Sequence, residues 1–121
     1  MRDQSELTLR KQRDFSRVYN NGKSRGSRFV VVLYRKNKLD FTRTAFVSSK
    51  KVGNSVERNR ARRLMKEAYR SLKDRVAQGY DIVFVARNTI NESKEKEVEK
   101  VMEKAMEACD LLSSKNTDKY K

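Results

Sequence analysis

The chain has 121 residues, which favours a single domain, and its 30 basic and 16 acidic side chains give a net charge of +14 at pH 7. That excess predicts a polyanionic partner: a nucleic acid, an anionic membrane or an acidic protein. The composition excludes His-based catalytic triads, His-based zinc sites and internal disulfides, because the chain has no histidine and one cysteine, Cys109.

The first part of the chain predicts one helix and two strands. Residues 1–8 are expected to be loose, and residues 11–20 to form a helix, because Phe15, Val18 and Tyr19 fall on one face. Gly22 is expected to end this helix with left-handed backbone. Residues 23–27 are expected to form a loop, with an extra short strand near 25–30 as an alternative. Residues 28–36 and 41–49 predict two strands joined as a hairpin by residues 37–40.

The second part predicts two long helices around a strand. Asn54 and Glu57 form a capping-box pattern, so a helix is expected to begin there and to end at residues 78–79. A strand over 80–87, a turn over 89–91, a helix over 92–112 and a loose tail over 113–121 follow. This order predicts one α+β domain over 1–121: a two-layer sandwich of about four strands and three helices. By the general rule, a parallel strand–helix–strand unit would cross over right-handed.

The excess of basic over acidic residues is confined to the first two thirds of the chain. Residues 1–79 hold 22 basic and 7 acidic residues, whereas residues 80–121 hold 8 and 9. The helix after Asn54 carries like charges on one side of its apolar stripe, and this row consists of Arg58, Arg62, Arg63, Lys66, Arg70 and Lys73 with Asn59. Arg60 falls outside the row. Adjacent like charges repel, so a polyanion would stabilise such a face.

A solvated helix face is the alternative for any basic helix. The helix over 92–112 mixes Glu and Lys as solvated faces do, and the row after Asn54 does not, which favours nucleic acid. Membrane binding is less favoured, because the apolar stripe of this helix is needed for the core. The apolar runs are also far too short to span a bilayer, and no signal peptide is evident, so a cytoplasmic protein is expected.

Single-stranded RNA binders add exposed aromatic rings to a basic groove. The candidates are Phe15, Tyr19, Phe29 and Tyr34, and for each one core packing is the alternative. Strand alternation puts Phe29 on the same face as Val31 and Leu33. The acidic residues are dispersed and form no metallonuclease constellation, so no catalytic residue is predicted and a binding subunit is favoured.

Residues 50–64 run Lys-Lys-Val-Gly-Asn-Ser-Val-Glu-Arg-Asn-Arg-Ala-Arg-Arg-Leu, with Arg58-Asn59-Arg60 at their centre. This segment resembles the signature of the protein subunit of bacterial ribonuclease P. Weaker matches flank it: residues 13–22 resemble the N-terminal helix of that family, and residues 80–87 resemble its last strand.

The resemblance implies a protein cofactor that binds a catalytic RNA and the 5′ leader of precursor tRNA and promotes leader removal, while the RNA carries the chemistry with Mg²⁺. It implies contacts to the RNA subunit from Arg58, Asn59, Arg60, Arg62, Arg63 and Lys66. It implies a leader-binding cleft that contains Phe15, Tyr19, Phe29, Lys50, Lys51 and Arg87.

The resemblance also implies a left-handed βαβ crossover, in place of the right-handed default, and a monomeric protein with one copy per RNA. It leaves metal sites on the protein unknown. The alternative is a ribosomal or general RNA-binding protein without a processing role.

Overall fold

The computed structural model describes residues 4–113 and contains three α-helices and a four-stranded mixed sheet. In chain order the elements are α1 (Gln12–Asn21), β1 (Lys23–Gly26), β2 (Val30–Lys36), β3 (Arg43–Val47), α2 (Ser55–Leu72), β4 (Tyr80–Ala86) and α3 (Glu95–Ala108). Two 3-10 helices, Lys73–Arg75 and Asn88–Glu92, flank β4. The predicted α+β class is confirmed. Residues 114–121 of the predicted tail lie outside the described residues.

The strand order is β1-β2-β4-β3, with β3 and β4 parallel and the other pairs antiparallel. The predicted hairpin between residues 28–36 and 41–49 is therefore wrong, because β4 lies between those strands. Ile82, Val83 and Phe84 of β4 are all 0% exposed, and a central strand can bury both of its faces. The unit β3-α2-β4 is a βαβ crossover, whose left hand stays a prediction of the resemblance.

The two faces of the sheet are covered unequally. Helices α2 and α3 pack on one face over Val32, Ile82 and Phe84, and this cluster contains most of the buried apolar residues. On the opposite face, Leu9 and Val18 pack over Val83 in a smaller cluster under α1. Several apolar side chains of that second face stay partly exposed: Phe15, Leu33, Val47 and Val85. A cleft therefore lies beside α1.

The junction between α1 and β1 differs from its prediction. Residues 23–26 form the edge strand β1 instead of a loop; all four are exposed, so they carry no apolar alternation. Gly22 has a φ of −85°, which is not left-handed. It is required for another reason: a Cβ there would lie 2.5 Å from the carbonyl oxygen of Val18 and 2.7 Å from that of Tyr34.

The start of α2 is confirmed, whereas both long helices are shorter than predicted. The Asn54 side chain accepts from the Glu57 N–H, and the Glu57 carboxylate accepts from the Asn54 N–H. Helix α2 ends at Leu72, and the chain then turns so that Val76 pairs with Leu112. Helix α3 begins at Glu95 rather than residue 92, after a 3-10 turn that covers the predicted turn at 89–91.

The segment before α1 lies along the outer edge of β3. Thr8 pairs with Thr44 in parallel, and Leu9 is 3% exposed. Thr44 donates to the carbonyl oxygen of Leu7 and accepts from the N–H of Leu9, at 2.9 and 2.8 Å. This short pairing reaches into the segment that was expected to be loose.

Candidate nucleic-acid interface

The outer face of α2 carries a row of cations with almost no acidic partners. Asn59, Arg63, Lys66, Arg70 and Lys73 are exposed, and Arg58 and Arg62 are half-buried. Within residues 4–113, Arg70 is the single cation of this row in an ion pair, with Glu67 at 3.0 Å. The row therefore presents concentrated positive charge to solvent, and it suits a polyanion.

Arg62 is oriented by its neighbours. Its Nη1 donates to the hydroxyl of Ser48 at 2.8 Å, and its Nη2 donates to the side-chain oxygen of Asn59. The same Ser48 hydroxyl donates to the carbonyl oxygen of Arg58 at 3.0 Å. Ser48 follows β3 directly, so it joins the carboxyl end of that strand to the first turns of α2 and fixes the direction of the guanidinium. Sequence reasoning missed Ser48, because a single serine after a strand carries no distinctive pattern.

Arg60 has a different environment from the rest of the predicted RNA-subunit contacts. Its guanidinium donates to the carbonyl oxygens of Ile90 and Ser93, at 3.3 and 2.7 Å. These bonds tie α2 to the 3-10 turn that precedes α3. The Arg60 guanidinium thus contacts the fold itself rather than presenting a free surface beside the cationic row.

The cleft beside α1 is walled by two aromatic rings. Phe15 and Tyr19 lie one helical turn apart, with ring centroids separated by 6.4 Å and planes inclined by 19°. Tyr19 is 47% exposed, Phe15 is half-buried, and partial burial raises the pKa of the Tyr19 hydroxyl. Half-buried Leu33, Val47 and Val85 line the adjoining sheet face. Such a surface can stack unpaired bases.

Cations stand at one end of this cleft. The register that pairs Val47 with Val85 places the residues after β3 and β4 at the same end of the sheet. Lys50 and Lys51 follow β3, Arg87 follows β4, and all three are exposed. Arg87 also donates to the carbonyl oxygen of Ser27 at 3.0 Å. Because Ser48 joins this end to Arg62, the cleft and the cationic row of α2 adjoin each other.

Phe29 does not belong to the cleft in this structure. Its ring is 3% exposed and packs in the core cluster under α2 and α3, with the Arg28 guanidinium carbon 5.0 Å from the ring centroid. Phe29 does not follow the predicted alternation because β2 begins at Val30, so Phe29 precedes the strand and lies outside its pleat. Tyr34 likewise packs against the core cluster rather than lining the cleft.

Comparison with known proteins decides the family. The model of the ribonuclease P family matches residues 4–110. The chain belongs to the ribonuclease P protein family. Members of this family are the protein cofactors of the endoribonuclease that matures the 5′ end of tRNA.

The relatives match over most of their length. The ribonuclease P protein component of Alkaliphilus oremlandii is 42% identical over 106 residues, which cover 88% of this chain and 93% of that protein. The component of Caldanaerobacter subterraneus is 42% identical over 107 residues, which cover 88% and 92%.

Solved structures of ribonuclease P proteins share the fold. A mutant of the Staphylococcus aureus RNase P protein with defective mRNA degradation activity superposes with a TM-score of 0.83 at 27% identity, over 90% of this chain and 92% of that one. The RNase P protein of Thermotoga maritima gives a TM-score of 0.71 at 32% identity, over 78% and 90%.

A buried ion-pair network holds the opposite end of this ribonuclease P fold. Arg43 donates to both carboxylate oxygens of Asp81, at 2.8 and 2.7 Å, and to Asp14 at 3.4 Å. The bond to Asp81 is the main cause that raises the pKa of Arg43. The network joins the starts of β3 and β4 to α1, which carries the cleft rings. Sequence reasoning missed it, because its members lie 29 and 38 residues apart.

No helix within residues 4–113 is long and apolar enough to cross a membrane. The same residues contain no cluster of three or more Asp, Glu or Cys side chains that could hold a metal ion.

Proposed function

We propose that this chain is the protein subunit of ribonuclease P, that it binds the catalytic RNA and the 5′ leader of precursor tRNA, and that it promotes removal of the leader. It acts in the cytoplasm as one protein per RNA. The observation that carries the proposal is the meeting of two surfaces at the carboxyl end of β3, where the cationic row of α2 adjoins the aromatic cleft beside α1.

The RNA subunit binds the cationic row. Arginine forks match phosphate geometry, and an unpaired row on one helix face suits a folded RNA with closely spaced phosphates. The contacts are Arg58, Asn59, Arg62, Arg63 and Lys66, with Ser48 holding Arg62 in position. Arg60 acts indirectly, since its guanidinium is occupied by the turn before α3.

The leader binds the cleft as a single strand. Phe15 and Tyr19 offer stacking surfaces to its bases, and Lys50, Lys51 and Arg87 neutralise its phosphates at one end. The partial exposure of both rings supports this role, because a ring that served the core alone would be covered as Phe29 is.

Mg²⁺ is required by the RNA-containing holoenzyme, where it supplies the hydrolytic chemistry together with the RNA. No residue of this chain is assigned as its ligand. The part of the protein is to bind, to orient the leader and to lower the repulsion between two RNAs.

The RNA-subunit contacts are tested with Arg63→Ala, since Arg63 is exposed and has no hydrogen-bond or ion-pair partner among residues 4–113 that the substitution would leave unpaired. The affinity for the RNA subunit is measured across a salt series. The expected result is weaker binding, with the slope of log affinity against log salt reduced by about one. Lys104→Ala on exposed α3 is the matched control and should leave the slope unchanged. An unchanged slope for Arg63→Ala would mean that the face is only solvated.

The cleft is tested with Tyr19→Ala, because Tyr19 is 47% exposed and its loss should spare the core. The holoenzyme should bind precursor tRNA more weakly by about 1–3 kcal/mol, with an unchanged melting temperature. Its affinity for mature tRNA, which lacks the leader, should not change. Equal losses for both RNAs would contradict the assignment of the cleft to the leader.

A further inference from the structure

A further concave surface lies at the outer edge of β3 and meets the cleft at Phe15 and Val47, which line both. We call it the β3-edge groove. It has a volume of about 830 Å³ and runs between the segment before α1 and the C-terminal half of α2. One wall presents Lys66, Tyr69 and Arg70 of α2 and Lys73 directly after it, and the opposite wall presents Leu7 and Thr8. Phe46 of β3 lies between the walls.

The edge of β3 is open where it borders this groove. The N–H and carbonyl groups of Thr44 point outward and pair with Leu7 and Leu9. By strand alternation the same groups of Phe46 also point outward. The chain turns away into α1 after Leu9, so within residues 4–113 the outward groups of Phe46 have no hydrogen-bond partner. One donor and one acceptor are therefore presented side by side in the groove.

Tyr69 adds a further polar group beside an apolar surface. Its ring packs against Phe46 and Phe84, with centroids 5.8 and 5.6 Å apart, and its hydroxyl has no hydrogen-bond partner in the described part of the chain. The Tyr69 hydroxyl is protonated at neutral pH, as an ordinary tyrosine is, and can donate; burial raises its pKa further, to about 12. An uncharged donor next to an open peptide edge matches the edge of a nucleobase.

The charge of the walls selects the kind of ligand. Lys66 and Lys73 have no acidic partner among residues 4–113, whereas Arg70 pairs with Glu67 and Asp74 supplies one negative charge. The ammonium groups of Lys66 and Lys73 lie beside the apolar surface of Phe46 and the Tyr69 ring. This combination favours a ligand that has phosphate groups at its ends and a planar ring between them.

We propose that the β3-edge groove binds one unpaired ribonucleotide, whose base contacts the Phe46 peptide and the Tyr69 hydroxyl and whose phosphates contact Lys66 and Lys73. The proposal rests on the proposed function, since it takes RNA as the partner. The nucleotide comes from the leader or from the RNA subunit. Tyr19 does not line the β3-edge groove, so this base-reading contact uses different residues from the stacking on that ring.

The test is Tyr69→Phe, which removes one oxygen and keeps the ring. Affinity is measured in two arms: the full chain for the RNA subunit, and the assembled holoenzyme for precursor tRNA. The loss of one hydrogen bond should weaken binding about fivefold in one arm, and that arm identifies the source of the nucleotide. The melting temperature at neutral pH should not change, since the hydroxyl has no partner within the described chain.

A scan of single abasic nucleotides in that RNA completes the test. At one position the abasic RNA should bind wild type and Tyr69→Phe equally, because the base that the hydroxyl reads is gone. Lys73→Gln should reduce the salt slope by about one in the same arm, and Lys104→Gln on α3 should not.

Unchanged affinity of Tyr69→Phe in both arms, or a loss that persists at every abasic position, would overturn the proposal. If the wild-type chain itself fails to bind the RNA subunit, the proposed function fails instead, and the two failures are thus distinguishable.

Discussion

Arg60 and Arg63 lie close together in one motif, and we expect them to have different roles. Arg60→Met keeps the aliphatic stem and removes the donors to Ile90 and Ser93. We expect the free energy of unfolding to fall by about 2 kcal/mol, because two carbonyl oxygens lose a charged partner. The salt slope of RNA-subunit binding should stay unchanged. Chemical denaturation and a salt series measure the two effects.

Arg63→Met is the matched control for this prediction. Its stability should equal that of the wild type, and its salt slope should fall by about one. If Arg60→Met behaved like Arg63→Met in both measurements, Arg60 would be a direct phosphate contact and the assigned role would be wrong.

Tyr69 makes stability depend on pH in the alkaline range. Its pKa rises from 10 to about 12 because burial disfavours the phenolate. The contribution of the protonated Tyr69 to the free energy of unfolding is fully present below pH 10. It is lost as the pH rises from 10 to 12, because Tyr69 ionises at lower pH in the unfolded chain than in the folded one. Over this range the free energy of unfolding should fall by about 2–3 kcal/mol more in the wild type than in Tyr69→Phe. Parallel pH dependences of the two proteins would show that the phenol is not buried.

At the scale of secondary-structure elements, the junction between α1 and β1 sets the position of the cleft. Gly22→Ala would press a methyl group against the carbonyl oxygens of Val18 and Tyr34, so we expect destabilisation by about 2–4 kcal/mol. A Cβ at Gly26 meets nothing within 4 Å, which makes Gly26→Ala the matched control. Thermal melts compare the two. Equal melting temperatures would show that α1 does not approach β2 as closely as described.

The same elements show what a sequence can and cannot predict. Asn54 and Glu57 act within one helical turn, and the row on α2 follows from helical periodicity, so both were predictable from local pattern. Strand β1 was missed because its exposed edge carries no apolar alternation. The hairpin was mispredicted because the insertion of β4 depends on burial across the whole sheet, which short-range turn signals do not encode.

At the scale of the molecule, most site residues were predicted from the family resemblance, and the structure shows which of them lie at a surface and which lie in the core. Phe15 and Tyr19 lie at the cleft, Phe29 is buried in the core, and the Arg60 guanidinium is hydrogen-bonded within the fold. The structure adds Ser48 and the Asp14–Arg43–Asp81 network, which link parts far apart in the chain. Such contacts depend on tertiary placement and leave no signal in local spacing.

The whole molecule therefore carries a cationic helix face and an aromatic cleft that meet at the carboxyl end of β3, and we propose that each surface binds a different RNA. The uneven charge suits this arrangement, since the nearly neutral residues 80–121 supply α3, which packs behind α2 and completes the core on the covered face of the sheet.

The most direct test of the central claim is the cleavage of precursor tRNAs with leaders of increasing length by the catalytic RNA and Mg²⁺, with and without this chain. The chain alone should cleave nothing. Added to the RNA at low salt, it should accelerate cleavage and tighten substrate binding, and the gain should rise with leader length until the cleft is filled and then level off. A gain independent of leader length, or no acceleration at all, would contradict the account and favour a general RNA-binding protein.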